Sequence, residues 1–404
     1  MADLMNADVL VVGAGPAGST VAAQLALAGW DVLLIDKAHF PREKTCGGGL
    51  TPRAIAALRT LGVLDQVTSQ GHRVTGARLV SPSGYQLHVH FADHLDGLPP
   101  YGLVISRSRL DDLLLRHAIA QGARFLPDCK VTGPLSGDHR VMAGRRKGRP
   151  ITFHARLIVL ATGAQLSLLR SLGFMERVPP TVSAARAYWE DVEGPADAFE
   201  FYFDRRLRPG YAWLFPMNDG WANIGIGLFP RGEDRAGCAA RLLPSFLEEH
   251  PALRERLSHA RRATPIKGYP LCTDFPGHPV VREHVMLVGE ACGLVNPVTG
   301  EGIDLAIESG LLAAEIADGA LRRSGDRIAA AIRRYDRELH RRFAGFFREM
   351  RALLRLATGP RALDILIRQG GRHPELARTI VCICLGLMSP RAAFTPRTWR
   401  DILF

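Results

Sequence analysis

Two four-residue runs near the start of the chain, VLVV at 9–12 and VLLI at 32–35, are apolar at every position rather than at every second one. That pattern suits parallel strands covered on both faces. Between them, small residues predict a glycine turn and a helix able to pack closely on its neighbours. Gly13, Gly15 and Gly18 make a G-x-G-x-x-G spacing at that turn, with Pro16 and Ala17 inside it, and Asp36 closes the second run. The first glycine permits a tight turn, the second lets backbone approach a pyrophosphate, and the third lets helix and strand pack closely. The helix N-terminus offers free N–H groups to phosphate, and the acid, about 20 residues on, can accept from ribose hydroxyls. With strands on both sides and the acid in register, this is a dinucleotide-binding unit.

Residues 51–61 have the period of an amphipathic helix with Pro52 in its first turn. Residues 74–91 alternate as a β-hairpin does, turning at 81–84. A strand and a helix follow over 104–122, then a strand over 123–131 that ends at Val131, and a basic hairpin turn at 145–149. Residues 155–163, ARLIVLATG, repeat the buried apolar run and end in a turn at Gly163. Residues 182–227 are aromatic-rich and β-like, 285–288 return to a parallel-type strand, and 302–320 form a long small-residue helix. From about 325 the chain is helical and arginine-rich. The fold class expected is α/β, α+β overall, in three parts. Residues 1–75, 101–180 and 276–320 form a discontinuous Rossmann-type domain. Residues 76–100 and 181–275 form an inserted antiparallel-sheet substrate domain, and 321–404 a C-terminal helical segment.

Composition changes this picture little. The 404 residues suffice for two or three domains with a sizeable core. No basic segment with a small-residue cleavage site opens the chain, so secretion is not expected. No apolar run reaches the roughly 20 residues needed to span a bilayer; the longest, 380–388, has the length of a buried helix. Seven scattered cysteines argue against a disulfide framework and for a reducing cytoplasm. Cys382 and Cys384 lack zinc-ligand spacing and read as core, and His88 and His90 alternate on a strand without metal-site character, so no metal is expected. The net charge of +11 is carried almost wholly by arginine. It favours anionic partners: lipid headgroups, a diphosphate or an acidic electron carrier. Nucleic acid is not expected, because the arginines form no recognisable module with interleaved aromatics.

Four segments carry a family resemblance. Residues 13–19, GAGPAGS, are the FAD version of the fingerprint. Residues 105–114, ISRSRLDDLL, resemble a helix start that brings an arginine, here Arg107, to the cofactor, with Leu110, Asp111 and Leu114 seating and capping the helix. Residues 288–303, VGEACGLVNPVTGEGI, resemble a second FAD motif, in which an acid, here Glu290, stands by the ribitol and pyrophosphate. In that motif Pro297, Gly300, Gly302 and Ile303 open a helix towards the flavin ring. Glu290 departs from the usual aspartate by one methylene. KTCGGG at 44–49 and YAWLFP at 211–216 resemble the signature pair of the FAD-dependent geranylgeranyl reductase family, within the larger aromatic-hydroxylase-like flavoprotein group.

The resemblance implies FAD as cofactor and reduction of isolated C=C bonds of a polyprenyl chain by flavin hydride transfer plus protonation. Asp36, Lys37, Cys46, Gly47, Gly48, Gly49, Val131 and Gly163 join the fingerprint, Arg107 and the second motif as cofactor contacts. Gly48, Gly49, Tyr211, Trp213 and Phe215 form the substrate pocket, and Cys46, Tyr211 and Trp213 stand at the reacting bond. Tyr211, Trp213 and Phe215 alternate, so on a strand they share one face. The proton comes from Cys46, Tyr211 or an ordered water, and the electrons from NAD(P)H or a reduced ferredoxin-type carrier. A flavin monooxygenase or halogenase on the same fold is the alternative enzyme, and a non-catalytic flavin- or lipid-binding protein the alternative outside enzymes. Arg333, Arg334, Arg337, Arg341, Arg342 and Arg348, interspersed with Phe343, Phe346 and Phe347, suit either a peripheral membrane contact of a cytoplasmic protein or a solvated helical lid.

Overall fold

The structure, a computed structural model, describes residues 3–91, 97–135, 138–230, 237–325, 327–357, 359–385 and 388–395. Its first sheet has five parallel strands in the spatial order Arg124–Leu126, Val32–Ile35, Asp3–Val12, Arg149–Leu160 and Val285–Leu287. The apolar runs at 9–12 and 32–35 are buried throughout, as doubly covered strands require. Chain order reverses on either side of the first strand, and in such sheets the crevice beyond the carboxyl ends at the reversal receives the ligand. The stretch expected as one strand at 123–131 is instead two, Arg124–Leu126 and Cys129–Leu135, broken where Asp128 takes φ +59°. The second of these leaves the parallel set and joins an antiparallel meander through Asp138–Arg146.

Two small-residue helices lie over this sheet. Pro16–Leu27 packs on Ile303–Leu321 so closely that a Cβ at Gly310 would stand 2.9 Å from the carbonyl oxygen of Ala17. The sequence AGSTVAA thus serves packing as well as phosphate approach.

The second sheet has the order Arg261–Arg262, Val182–Glu190, Ala222–Leu228, Gly210–Pro216, Ala198–Tyr202, Gly76–Val80 and Gln86–His90, with Lys267–Leu271 also paired to Val182–Glu190. It is antiparallel except where Ala198–Tyr202 meets Gly76–Val80. Helices Cys238–Glu249 and Pro251–Arg256 cover one face of it. The other face looks towards the first sheet. A three-stranded sheet that the hydrophobic pattern did not foretell (Gly49–Leu50, Gly102–Val104, His72–Val74) bridges the two.

The 31-residue helix Arg327–Ala357 closes the nucleotide layer. Ile328, Ile332, Tyr335, Leu339, Phe343, Phe347 and Met350 recur every three or four residues and are all buried. Helices Pro360–Gly370 and Pro374–Cys384 then lie against the strand Gln86–His90, where His88 and His90 are exposed. No described helix is long and apolar enough to cross a membrane.

Candidate functional site

A cavity of about 1770 Å³ of empty space follows the carboxyl ends of the parallel strands, from Asp36 and Lys37 to Ile303. Gly13 turns the chain at φ +107°, and a side chain there would overlap the carbonyl of Ala161 on the neighbouring strand. Pro16 occupies the first helical position without wasting a donor. The N–H groups of Ala17 and Gly18 precede the first intrahelical bond, from Ser19 N to Gly15 O, and remain free for an anion. A Cβ built on Gly15 meets only the guanidinium tips of Arg42 and Arg107, at 3.7 and 3.9 Å. The fingerprint loop and two cations therefore share one space, as a diphosphate requires. Asp36 accepts from Ala14 N and Ala38 N, both at 2.9 Å, and its carboxylate faces this cavity beside Lys37. Thr162 Oγ1 is buried there without a partner. An acid at the end of the second strand, a glycine turn before a free helix N-terminus, cations and an orphaned hydroxyl along one crevice fit FAD.

The cations are held from behind. Arg107 makes a two-pronged pair with Asp111 at 2.7 and 2.8 Å, and Arg42 reaches the same carboxylate at 2.9 Å. Ser106 caps this helix, so Asp111, expected as part of the cap, instead positions the two arginines. Lys44 lies 3.6 Å from Glu290 and 4.1 Å from the centre of the Tyr269 ring. Burial is the largest influence and lowers its pKa, but Glu290, Tyr269 and Cys46 together outweigh burial and the net shift is upward, so Lys44 stays charged. Glu290 also accepts from Tyr269 OH and Cys272 N, which ties the acid of the second motif to the second sheet.

A second cavity, of about 1210 Å³, opens from the far end of the first. Thr45, Cys46, Tyr269, Leu271, Gly300, Gly302 and Ile303 line both. Its walls are apolar. Tyr211, Trp213 and Phe215 share one face of their strand, and Phe199 and Phe201 of the next strand pack edge-on against Phe215 at 5.0 and 5.4 Å between ring centres. Ala77, Leu79, Phe91 and the helix residues Val381, Cys384 and Leu385 complete it. Asn223 locks wall to loop: it accepts from Trp213 Nε1 at 3.0 Å and donates to Cys46 O at 2.8 Å. Tyr211 OH donates to Thr299 O.

Close packing requires the three glycines. At Gly48, with φ +73°, a Cβ would stand 2.5 Å from the Ile105 carbonyl. At Gly47 and Gly49 it would press on the ring of Phe215 at 3.0 Å. The aromatic wall thus occupies the space that the missing side chains leave.

Around the junction the acids and the thiol differ. Burial opposes ionisation of Cys46, but the Arg107 and Lys44 charges prevail and draw its pKa down. Burial pushes the Tyr211 phenol up. Glu301, between the two cavity glycines, accepts from Thr51 Oγ1, and burial together with Asp304 raises its pKa well above the usual carboxylate range. Asp304 is pushed up to about 6 by burial, partly offset by Arg53. Arg53 lies 3.5 Å from Asp304 and 2.7 Å from Glu308.

Comparison with known proteins agrees with this geometry. Residues 6–217 match the FAD binding domain family, and residues 181–262 match the geranylgeranyl reductase catalytic domain. A menaquinone reductase from Mycobacterium tuberculosis is 35% identical over 323 residues, 78% of this chain and 77% of that one. A digeranylgeranylglycerophospholipid reductase from Methanothermobacter thermautotrophicus is 32% identical over 342 residues, covering 82% and 81%. The chain belongs to the geranylgeranyl reductase family of FAD-dependent oxidoreductases. A geranylgeranyl bacteriochlorophyll reductase-like protein from Thermoplasma acidophilum has the same fold, with a TM-score of 0.80 at 23% identity over 99% of this chain and 100% of that one.

The residues that the sequence singled out in this reductase fall into three groups. Gly13, Gly15, Pro16, Ala17, Asp36, Lys37, Arg107, Val131, Gly163 and Glu290 line the cofactor cavity, as do Cys46, Gly300, Gly302 and Ile303 at the junction. Gly47, Gly48 and Gly49, expected at the cofactor, line the apolar cavity only, with Tyr211, Trp213 and Phe215. Gly18 and Pro297 line neither: Gly18 is pressed against the Gly13 carbonyl and Pro297 is buried. Arg42, Thr162, Tyr269 and Asn223 were not picked out, and Lys44 and Glu301 only as members of the quoted motifs KTCGGG and VGEACGLVNPVTGEGI. Asn223 alone carried a plain signal, a polar residue within the apolar strand ANIGIGL.

The C-terminal expectation also divides. The six arginines from Arg333 to Arg348 are exposed, whereas Phe343 and Phe347 lie in the core at 5% and 0% exposure. Of the three phenylalanines only Phe346 is left half-buried beside the exposed arginines.

Two outcomes follow for the site. Gly15→Val keeps the fold, because its Cβ meets only mobile guanidinium tips, but abolishes FAD binding as titrated by flavin fluorescence; Gly18→Val loses folded protein by circular dichroism. Asp304 has its folded pKa raised to about 6 from 3.8, so its stabilising contribution is full below 3.8 and lost as pH rises to about 6. In urea titrations at fixed pH, Asp304→Asn therefore gains on the wild type between pH 4 and 7, by on the order of 2 kcal/mol.

Proposed function

We propose that the enzyme reduces isolated C=C bonds of a polyprenyl chain whose alkene lies in the apolar cavity against the cofactor. One observation carries this: a cavity walled by Phe199, Phe201, Tyr211, Trp213 and Phe215 opens directly onto the cofactor crevice at Cys46 and Gly300–Ile303. Such a surface suits a long hydrocarbon and excludes water. The prenyl-lipid reductase among the relatives supports the same substrate class.

FAD, when bound and reduced, supplies a hydride equivalent at this junction. The chain supplies the rest. An unactivated trisubstituted alkene has no carbonyl to stabilise a carbanion, so proton delivery towards a tertiary cation must accompany hydride transfer. Tyr211, Trp213 and Phe215 turn π faces to that developing positive charge in a dry site. Asn223 fixes Trp213 relative to Cys46, so the wall keeps its distance from the loop. Helix Pro374–Cys384 closes the cavity through Val381 and Cys384. NAD(P)H or an acidic ferredoxin-type carrier supplies electrons, and the exposed arginine row of Arg327–Ala357 suits docking of the second.

Anaerobic incubation of the dithionite-reduced holoenzyme with geranylgeranyl compounds and menaquinones, read by mass spectrometry, tests the reading. A gain of two hydrogens per reduced bond is expected, and Trp213→Ala should lower the yield at least tenfold. Products that gain oxygen or halogen, formed only in air, would establish the monooxygenase or halogenase alternative instead.

A further inference from the structure

We propose that Glu301 is the proton donor of this reduction, delivering the proton from its free carboxyl oxygen to one alkene carbon as the hydride reaches the other. The inference rests on the prenyl-reductase reading above. Glu301 is the one carboxylic acid among the described residues that line the apolar cavity, and it sits between Gly300 and Gly302, where that cavity meets the cofactor crevice. Its place is fixed on several sides. Thr51 Oγ1 donates to Oε1, Asn296 N donates to its carbonyl at 2.7 Å, and its own N–H reaches Thr299 Oγ1 at 3.4 Å. Oε2 is left to carry the proton.

Charge counting explains why that proton is present. Glu301, Asp304 and Glu308 stand near a single cation, Arg53, and Arg53 is committed to Glu308 by two short hydrogen bonds and to Asp304 at 3.5 Å. Arg53 is therefore shared among three carboxyls, and an under-compensated carboxylate in an apolar wall is the costlier form. The other titratable groups that line this cavity are Tyr211 from the wall, Cys46 from the glycine loop, Tyr269 from the strand Lys267–Leu271 and Cys384 from the helix Pro374–Cys384.

The earlier candidates are poorer donors. Tyr211 already spends its hydroxyl on Thr299 O and is raised by burial. Cys46 has its pKa drawn down by Arg107 and Lys44 against burial, which weakens its hold on the proton it would have to keep for the alkene. A neutral carboxylic acid beside an apolar substrate combines a held proton with adequate acidity, as general-acid sites do.

The step balances. Two electrons and one hydrogen come from the bound reduced flavin as hydride, the second hydrogen comes from Glu301 as a proton, and two C–H bonds replace the π bond. Glu301 is left as carboxylate and regains its proton from water.

The test uses FAD-loaded enzyme and a prenyl compound that the wild type reduces, in anaerobic single turnovers. Glu301→Gln keeps the acceptor for Thr51, and should bind FAD and substrate as the wild type does while reducing the alkene at least 10²-fold more slowly. Glu301→Asp should recover part of the rate. The wild-type rate should be flat at low pH and fall tenfold per pH unit above the Glu301 pKa, and the residual rate of Glu301→Gln should lack that fall. Independently of turnover, infrared difference spectra at neutral pH should show a protonated-carboxyl C=O stretch that shifts in D₂O and is missing in Glu301→Gln. Wild-type rates in Glu301→Gln, or no such band to lose, would overturn the assignment and leave the prenyl-reductase reading standing. A wild type that reduces no prenyl compound would overturn both.

Discussion

The contact on which this site depends is the pair of hydrogen bonds made by Asn223. Its carbonyl takes the Trp213 indole N–H and its amide gives to the Cys46 carbonyl, in a setting where Asn223 itself is 1% exposed. A buried amide is costly unless satisfied, and here the partners that satisfy it belong to the aromatic strand and the glycine loop. The antiparallel sheet and the nucleotide layer are thereby held in one register. Everything that joins the two cavities, from the rings against Gly47 and Gly49 to the shared edge at Gly300–Ile303, assumes that register.

The two cavities divide their charges sharply. Arg42, Lys44 and Arg107 face the cofactor crevice, each held by a carboxylate behind it, Asp111 or Glu290. Among the described residues, the apolar cavity is lined by one carboxylic acid, Glu301. The charged crevice and the apolar cavity thus adjoin within one molecule, at Cys46, Gly300, Gly302 and Ile303, without either environment spoiling the other.

How much of this was legible depended on whether the signal was local. The fingerprint of Gly13, Gly15, Gly18 and Asp36 is a statement about one strand–turn–helix–strand unit, and period alone gives it. Tyr211, Trp213 and Phe215 alternate on one strand, so their common face could be read without a structure. Asn223 could be suspected but its two partners could not, because they lie 10 and 177 residues away. Glu301 was hidden for another reason: in PVTGEGI it looks like a spacer between functional glycines. Its significance comes from the sharing of Arg53 among three carboxyls and from the cavity wall, both products of the tertiary fold. Phe343 and Phe347 were legible in principle, since they continue the buried period of Ile332, Tyr335 and Leu339. That is the reading in which the helix is a solvated lid with its phenylalanines in the core.

The account's central claim is that a prenyl chain lies in the aromatic cavity with one double bond at the cofactor junction. A crystal structure of the FAD-loaded enzyme with a bound geranylgeranyl analogue tests it most directly. The account predicts chain density between Gly47–Gly49 and the wall of Phe199, Trp213 and Phe215, with a trisubstituted alkene between the flavin ring and the Glu301 carboxyl. A chain bound on the outer surface of the C-terminal helices, with the aromatic cavity filled by ordered water, would contradict it.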